Sequence, residues 1–183
     1  AGQIADEKFF PMTLTFCPEC SEVQLLETVA GDVLFKDYRF VASTTSSLSG
    51  HFKEYAAQIF DRFRLGSSSL VVEFGSNDGV LLVPFMELGV RAVGVEPASN
   101  IAAVAVQRGC TVVQDFFTED SASRIAKEHS RADIICANNV FAHIDDMHEV
   151  MNGVRALLKP DGVFVFEVHY LLDLVEKWQF DMI

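Results

Sequence analysis

One stretch, residues 70–79, restricts the possible folds of this chain more than any other. It begins with an apolar run, Leu70 to Phe74, and ends in a turn framed by Gly75 and Gly79, after which a helical pattern follows. This order predicts a buried strand, a tight loop and a helix N-terminus, which is where α/β proteins hold nucleotide-like cofactors. The loop is not Gly-x-Gly-x-x-Gly, so an ordinary tight turn remains the alternative interpretation.

The rest of the chain after residue 79 repeats the same alternation of strand and helix. A helix over 47–63 is predicted to precede the first strand, because its apolar residues recur on one face. Lys159-Pro160-Asp161-Gly162 is predicted to be a turn. The pattern as a whole predicts an α/β fold, with a parallel sheet covered on both faces by helices. The predicted strands are 70–74, 91–95, 111–113, 133–136 and 163–168, and the helices that follow them are 79–88, 99–108, 119–129, 146–158 and one beginning at 171.

Charge and composition narrow the classes of function. The chain has 183 residues, half of them hydrophobic, and a formal net charge of −12. A strongly acidic surface repels phosphate backbones, so we expect no nucleic-acid partner. No apolar run approaches the roughly 18 residues of a membrane span, and no leader pattern is visible. We therefore expect no membrane partner. Four cysteines are few for a disulfide scaffold, so the chain is expected to be cytoplasmic, with reduced thiols.

Residues 1–45 do not show the alternation of strands and helices. They are predicted to form a separate N-terminal segment, followed by a domain over 46–183. Two short strands, 13–16 and 23–26, flank Cys17-Pro18-Glu19-Cys20. Two thiolates on one tight turn suit tetrahedral zinc, so Cys17 and Cys20 are candidate metal ligands in a zinc-knuckle-like half-site. Two free surface cysteines are the alternative, and a redox pair is less favoured because no thioredoxin-like strand and helix follow.

Polar residues recur where the predicted strands end, and these ends meet at one edge of a parallel sheet. Glu96 is placed to accept hydrogen bonds from both hydroxyls of a ribose, although it could instead favour a helix dipole just before Pro97. Asp115, beside Phe116, suits an adenine ring, and a loop aspartate beside core phenylalanines is the alternative. Asn138 and Asn139 could bond a ligand or the loop backbone.

Histidines near the same edge are candidates for proton transfer. His143 follows the fourth strand and is a candidate general base or acid, with capping of the helix that begins at Asp145 or Asp146 as the alternative. His51 on the 47–63 helix, and Glu167 at the end of the fifth strand, could also face the site. Tyr38 reaches it only if the N-terminal segment folds over it.

Several motifs together are similar to those of S-adenosylmethionine-dependent C-methyltransferases of deoxysugar biosynthesis, which act on nucleotide-linked 4-keto sugars in antibiotic pathways. The resemblance extends over nearly the whole chain. The most distinctive segments are Gly75-Ser76-Asn77-Asp78-Gly79 and Asn138-Asn139-Val140-Phe141-Ala142-His143. Cys17-Pro18-Glu19-Cys20, Tyr38-Arg39-Phe40 and Gly94-Val95-Glu96-Pro97 agree with the family as well.

The resemblance implies a Rossmann-like class I methyltransferase fold and a set of functional residues. It assigns catalytic roles to His143 and Tyr38, and structural zinc to Cys17 and Cys20. The partner cysteines would lie upstream of Ala1, and a catalytic Tyr-His-Glu-His run would follow Ile183, so the catalytic face of this chain would be incomplete. Together with the strand-end residues, the candidate cofactor-binding set is Glu73, Gly75, Ser76, Asn77, Gly79, Glu96, Pro97, Asp115, Phe116, Asn138 and Asn139.

The expected activity is C-methylation of a nucleotide-linked 4-keto-deoxysugar by a monomeric enzyme. A base removes a proton beside the ketone, and the enolate displaces the donor methyl group in line. Two alternatives remain open from the sequence alone. One is an NAD-dependent oxidoreductase, which the missing Gly-x-Gly-x-x-Gly disfavours, and the other is a non-catalytic module that binds zinc or a cofactor.

Overall fold

The structure is a computed structural model that describes residues 9–178. Its contacts divide the chain into two compact units, with the boundary between Leu34 and Phe35. The first unit contains an antiparallel pair of three-residue strands, β1 (Leu14–Phe16) and β2 (Val23–Leu25), in which Leu14 pairs with Leu25. A short helix, α1 (Gly31–Phe35), begins at the end of this unit and was not predicted.

The second unit is built around a five-stranded parallel sheet with the order β5-β4-β3-β6-β7. The strands of this sheet are β3 (Leu70–Phe74), β4 (Arg91–Val95), β5 (Thr111–Val113), β6 (Ala132–Asn138) and β7 (Leu158–Glu167). The helices are α2 (Ser46–Phe63), α3 (Leu82–Glu87), α4 (Ser99–Gln107), α5 (Glu119–His129), α6 (Met147–Leu157) and α7 (Leu171–Glu176). This confirms the predicted parallel sheet with helices on both faces.

The core lies on both faces of the sheet because the central strands are apolar throughout. All five residues of β3 are buried. On one face the sheet packs against α2 and α3, through side chains such as Phe52, Ile59 and Phe85. On the other face, Phe74 and Phe117 stack with ring centroids 4.5 Å apart, in a cluster that includes Ile125 of α5 and Leu157 of α6. Burial of these aromatic rings, together with the many aliphatic side chains of the core, supplies the hydrophobic driving force for folding this unit.

The predicted turn over Lys159–Gly162 is wrong. In the structure these residues lie inside β7, which pairs with β6 at Leu158 and again at Val163, with an irregular register between these two points. The carboxylate of Asp133 explains this path, because it accepts the amide of Leu70 at 2.8 Å and contacts the Lys159 ammonium at 2.7 Å. The segment therefore bulges along the sheet edge rather than reversing the chain.

The topology places a crevice at a defined point in the sheet. From β3, the chain adds β4 and β5 on one side and then crosses to add β6 and β7 on the other side. The strand order therefore changes direction between β3 and β6, and the crevice beyond their carboxyl ends is the usual ligand site of such sheets. No helix among residues 9–178 is long and apolar enough to cross a membrane.

Candidate cofactor and active site

The glycine loop after β3 lies directly against the loop after β6. The amides of Gly75 and Ser76 donate to the carbonyl of Val95 at 2.8 and 3.3 Å, which ties the start of the loop to the end of β4. Gly75 has a φ of 66°, and a Cβ at this position would overlap Cγ2 of Val140 and lie 3.1 Å from Cγ1. Glycine is therefore required here for two reasons, its left-handed backbone and the closeness of Val140.

Glu96 is buried at the end of β4 and holds two backbone segments. One carboxylate oxygen accepts the amide of Asn77 at 2.9 Å, and the other accepts the amide of Ala98, also at 2.9 Å, just before α4. Burial raises the pKa of Glu96, while these two amides act in the opposite direction. Each oxygen keeps a second lone pair, so the carboxylate can still accept a ribose hydroxyl. Pro97 follows it in the chain and is half-buried.

Asn77 and Asn100 bring the segment around Tyr38 to this loop. The side chain of Asn77, which has a φ of 48°, donates to the carbonyl of Phe40 at 3.0 Å and accepts the amide of Ala42 at 2.9 Å. Asn100 on α4 donates to the carbonyl of Tyr38 at 2.7 Å and accepts its amide at 3.3 Å. The half-buried Tyr38 is therefore held beside α4, whose N-terminus follows Glu96.

Three polar side chains at the crevice are buried and have atoms without a partner. Asn138 donates to Oε1 of Glu73 at 3.2 Å, but Oε2 of Glu73, Oδ1 of Asn138 and Oγ of Ser76 make no hydrogen bond among the described residues. Burial raises the pKa of Glu73 to about 8. The nearby charges of Glu96 and Asp78 act in the same direction, and the hydrogen bond from Asn138 acts against them. Unsatisfied buried polar atoms are costly, and these three atoms are free to form hydrogen bonds with a polar ligand.

Asp115 and Phe116 lie at the end of β5, as predicted, but the carboxylate is already engaged. Its oxygens accept the amide of Phe116 at 2.8 Å and the guanidinium of Arg124 on α5. Arg124 also bonds Asp120 at 3.2 Å, and its hydrogen bond with Asp115 raises the pKa of the guanidinium. An adenine amino group would share Asp115 with Arg124.

Asn139 connects three elements beyond the crevice. Its amide donates to the carbonyl of Glu167 at 2.7 Å, and its side chain donates to Oε1 of the same residue at 2.9 Å. The other oxygen of Glu167 lies 2.8 Å from Nε2 of His51 on α2. The end of β7, the loop after β6 and α2 are thus joined through one carboxylate.

His143 ends a short 3-10 turn over Phe141–His143, and its amide donates to the carbonyl of Val140 at 2.9 Å. The residue is exposed overall, yet partial burial of its ring, together with the nearby His169, lowers the pKa of the imidazole. The alternative that His143 caps the next helix is wrong, because Asp146 is the N-cap of α6 and accepts the amide of Glu149 at 2.9 Å.

An open hollow of about 530 Å³ adjoins this turn. It is lined by residues of this turn and of the start of α6, and none of these lining residues was a predicted site residue. The lining residues are Phe141, Asp145, Asp146, Met147, His148 and Met151.

The two candidate zinc ligands lie on the turn between β1 and β2. The amide of Cys17 donates to the carbonyl of Glu22 at 2.9 Å, and the amide of Ser21 donates to the carbonyl of Cys17 at 2.8 Å, which closes the turn. Hydrogen bonds from the backbone of Cys20 and Glu19, and from the Cys20 side chain, lower the pKa of Cys17. Within residues 9–178, no group of three or more His, Cys, Asp or Glu side chains is arranged to hold a metal ion. A two-thiolate half-site remains a prediction.

Some contacts that shape the site were not predicted from the sequence. Asp78 is fully buried and binds Arg108 at 2.8 Å, and a Cβ on Gly79, which has a φ of 78°, would lie 2.7 Å from Sγ of Cys110. Tyr55 has a buried hydroxyl without a hydrogen-bond partner among the described residues, and burial raises its pKa. These contacts join residues about 30 positions apart or more, so no local pattern reveals them.

Comparisons with known proteins agree with this geometry. A family model described as "Methyltransferase domain" matches residues 48–183. The chain is 43% identical to C-methyltransferase NovU from Streptomyces niveus over 177 residues, which cover 97% of this chain and 42% of that protein. It spans less than half the length of the curated relatives it matches.

Two solved structures share the fold at low sequence identity. The Methanococcus maripaludis protein mmp1179 matches with a TM-score of 0.57 and 13% identity, over 78% of this chain and 76% of that chain. The glycopeptide N-methyltransferase MtfA, complexed with sinefungin, matches with a TM-score of 0.51 and 21% identity, over 62% of this chain and 48% of that chain. Both likenesses support the arrangement of strands and helices described above.

Proposed function

Because the chain belongs to the family of proteins with a methyltransferase domain, we propose that it binds S-adenosylmethionine and directs its methyl group to a carbon atom. The observation that carries this proposal is the set of buried polar atoms without partners on Glu73, Ser76 and Asn138, next to the glycine loop. These atoms lie where the strand order changes direction between β3 and β6, which is the usual ligand site of such sheets. The family match sets aside the oxidoreductase alternative.

The electrostatics of the crevice suit a cationic methyl donor. Glu73, Asp78 and Glu96 are all buried around the glycine loop. Of these three, Asp78 alone forms an ion pair among the described residues, with Arg108. Positive charge on a sulfonium or on an amino group would be stabilised by the Glu96 carboxylate in a low-dielectric site. A cation bound nearby would also favour loss of the proton that burial keeps on Glu73. In this arrangement Glu96 accepts from the ribose, Asp115 accepts from the adenine, and Glu73 with Asn138 faces the amino acid part of the donor.

The proposed acceptor is a nucleotide-linked 4-keto-deoxysugar, and the resemblance to C-methyltransferases together with 43% identity to NovU supports it. A base takes the proton from the carbon beside the ketone, and the electron pair moves onto the oxygen as an enolate. The enolate carbon then forms a bond to the methyl carbon while the sulfur–methyl bond breaks. His143 and Tyr38 are the candidates to take the proton or donate to the enolate oxygen.

The remaining properties are proposed on the same basis. We infer a monomeric, cytoplasmic enzyme that acts on a small molecule and has no membrane partner. The net charge of −12 argues against a nucleic-acid substrate. Cys17 and Cys20 would supply two thiolates to a structural zinc ion. Zinc content measured by mass spectrometry should fall when Cys17 and Cys20 are changed to serine, and it should not change when the buried Cys110 is changed to serine.

Calorimetric titration with S-adenosylhomocysteine, the demethylated donor, tests the cofactor assignment. The wild-type chain should bind, and Glu96→Gln should weaken binding at least about tenfold, because a carboxylate that accepts two hydroxyls is replaced by an amide. Glu54→Gln, on the exposed side of α2, is the matched control and should bind as the wild type does. A folded wild-type sample that binds NADH but not S-adenosylhomocysteine would refute the proposal.

A further inference from the structure

Two neighbouring asparagines at the end of β6 each bind a carboxylate from a different strand. Asn138 donates to Glu73 on β3 at 3.2 Å, and Asn139 donates to Glu167 at the end of β7 at 2.9 Å. The first pair belongs to the proposed cofactor site. The second pair lies next to it, and the mechanism above does not use it.

Glu167 fixes both the backbone and the side chain of Asn139. Its carbonyl accepts the Asn139 amide at 2.7 Å, while Oε1 accepts the side-chain amide. Asn139 has a φ of 55°, a left-handed conformation that most residues with a Cβ adopt only at a cost and that asparagine tolerates better. The two hydrogen bonds offset this cost and define the direction in which the chain leaves β6 toward His143.

His51 in turn fixes Glu167. Its Nε2 lies 2.8 Å from Oε2 of the carboxylate. This is a hydrogen-bond distance, and the imidazole donates in the tautomer that has its proton on Nε2. The ring of Tyr55 stacks against the imidazole with centroids 6.0 Å apart and an angle of 22° between the planes. His51 therefore has a defined ring orientation, although about half of its side chain is exposed.

We propose that His51 and Glu167 are positioning residues, which hold Asn139 and, through it, the turn bearing His143 in the geometry that methyl transfer needs. This inference rests on the function proposed above. An isolated surface pair of this kind would contribute little to stability. Here the pair joins three elements, and its position at the start of the Asn139–His143 segment gives it a role beyond stability.

The titration of His143, followed by NMR, tests this role without an activity assay. In the wild type, partial burial and His169 keep the His143 pKa below its ordinary value. Glu167→Ala removes the anchor of Asn139 and should release the turn, so the His143 titration should move up toward about 6.5. Glu167→Gln keeps an oxygen for Asn139 and should retain the wild-type titration.

Two further variants make the comparison decisive. Glu176→Ala removes an exposed carboxylate from α7 and should leave the His143 titration unchanged. Asn139→Gly keeps the left-handed backbone but removes the side-chain amide, so it should reproduce part of the Glu167→Ala shift. It also serves as the test variant if Glu167→Ala does not fold.

The same samples are titrated with S-adenosylhomocysteine, which separates the two proposals. If the wild type binds it and neither Glu167→Ala nor Asn139→Gly moves the His143 titration, the positioning role is wrong while the proposed function stands. If the folded wild type does not bind it, the proposed function fails, and the role assigned to His51 and Glu167 fails with it. Both proposals are supported if the wild type binds S-adenosylhomocysteine and the His143 titration shifts in Glu167→Ala but not in Glu167→Gln.

Discussion

At the scale of single residues, the crevice depends on the absence of a side chain at Gly75. Gly75→Ala adds a Cβ at a φ of 66° and against Val140, so we expect a loss of about 1–2 kcal/mol from the backbone and about 1–3 kcal/mol from the overlap. Gly89→Ala is the matched control, because its φ is 77° but nothing lies within 4 Å of the added Cβ. Urea denaturation of both variants measures the difference.

The overlap can also be relieved without restoring glycine. Val140→Ala removes Cγ1 and Cγ2, which leaves the Val140 Cβ at 3.2 Å from the new Cβ of Gly75→Ala. The double variant should therefore recover most of the overlap cost and keep the backbone cost. Equal destabilisation by Gly75→Ala and Gly89→Ala would show that contact with Val140 is unimportant.

The buried carboxyl of Glu73 makes stability depend on pH. Its pKa is raised to about 8 in the folded state from 4.5, so the folded state holds a proton that the unfolded state releases between these two values. The contribution of Glu73 is fully present below pH 4.5 and is lost as pH rises toward 8, by about 1.4 kcal/mol per pH unit at most. Glu73→Gln should remove this dependence and become progressively more stable than wild type from pH 5 to 8.

The free energy of unfolding of wild type and Glu73→Gln, measured by urea denaturation at several pH values, tests this expectation. The difference between the two proteins isolates Glu73 from all other titrating groups. Glu87→Gln, at an exposed position on α3, should follow the wild type at every pH. A constant difference between wild type and Glu73→Gln from pH 5 to 8 would mean that Glu73 is ionised throughout this range.

At the scale of elements, the sequence was most informative where the apolar pattern was continuous. The first three strands of the sheet have the predicted bounds, because each is an apolar run between turn residues. The helix after the glycine loop begins only at Leu82, three residues later than predicted, since residues 79–81 complete the loop. The turn over Lys159–Gly162 was predicted wrongly because the composition of Lys-Pro-Asp-Gly does not reveal the contact of Lys159 with Asp133.

Helix α6 begins at Met147, shortly after the turn bearing His143, and its N-cap can be tested separately. Asp146 accepts the amide of Glu149, whereas the neighbouring Asp145 is not the cap. Asp146→Ala should lower the free energy of unfolding by about 1 kcal/mol, within the range measured for lost N-caps. Asp145→Ala should cost much less, and thermal denaturation of both variants provides the comparison.

At the scale of the whole molecule, the candidate site was predictable as a set of strand ends but not as a set of contacts. Glu73, Glu96 and Asn138 lie around the predicted crevice because a parallel sheet brings the carboxyl ends of its strands together. The pairs Arg124 with Asp115, and His51 with Glu167, depend on how helices pack on that sheet. His51 and Glu167 are 116 positions apart, so no spacing in the sequence connects them.

The two units should also respond differently to the methyl donor. In the described part of the first unit, residues 9–34, no residue is buried, whereas β3, β4 and β6 form the core of the second unit. Amides of residues 9–34 should therefore exchange with solvent quickly through local opening, and those of the central strands only by global unfolding. Hydrogen exchange followed by mass spectrometry distinguishes the two classes.

Donor binding adds a second test to the same experiment. S-adenosylhomocysteine at 100 times its dissociation constant should stabilise the second unit by about 2.7 kcal/mol and slow exchange of its central strands about 100-fold. Residues 9–34 contribute none of the proposed donor contacts, so their exchange should not change. Glu96→Gln should reduce the slowing at the same donor concentration, because its affinity is lower. Equal slowing in residues 9–34 would show that the two units unfold as one, and that the donor stabilises the whole chain rather than its sheet.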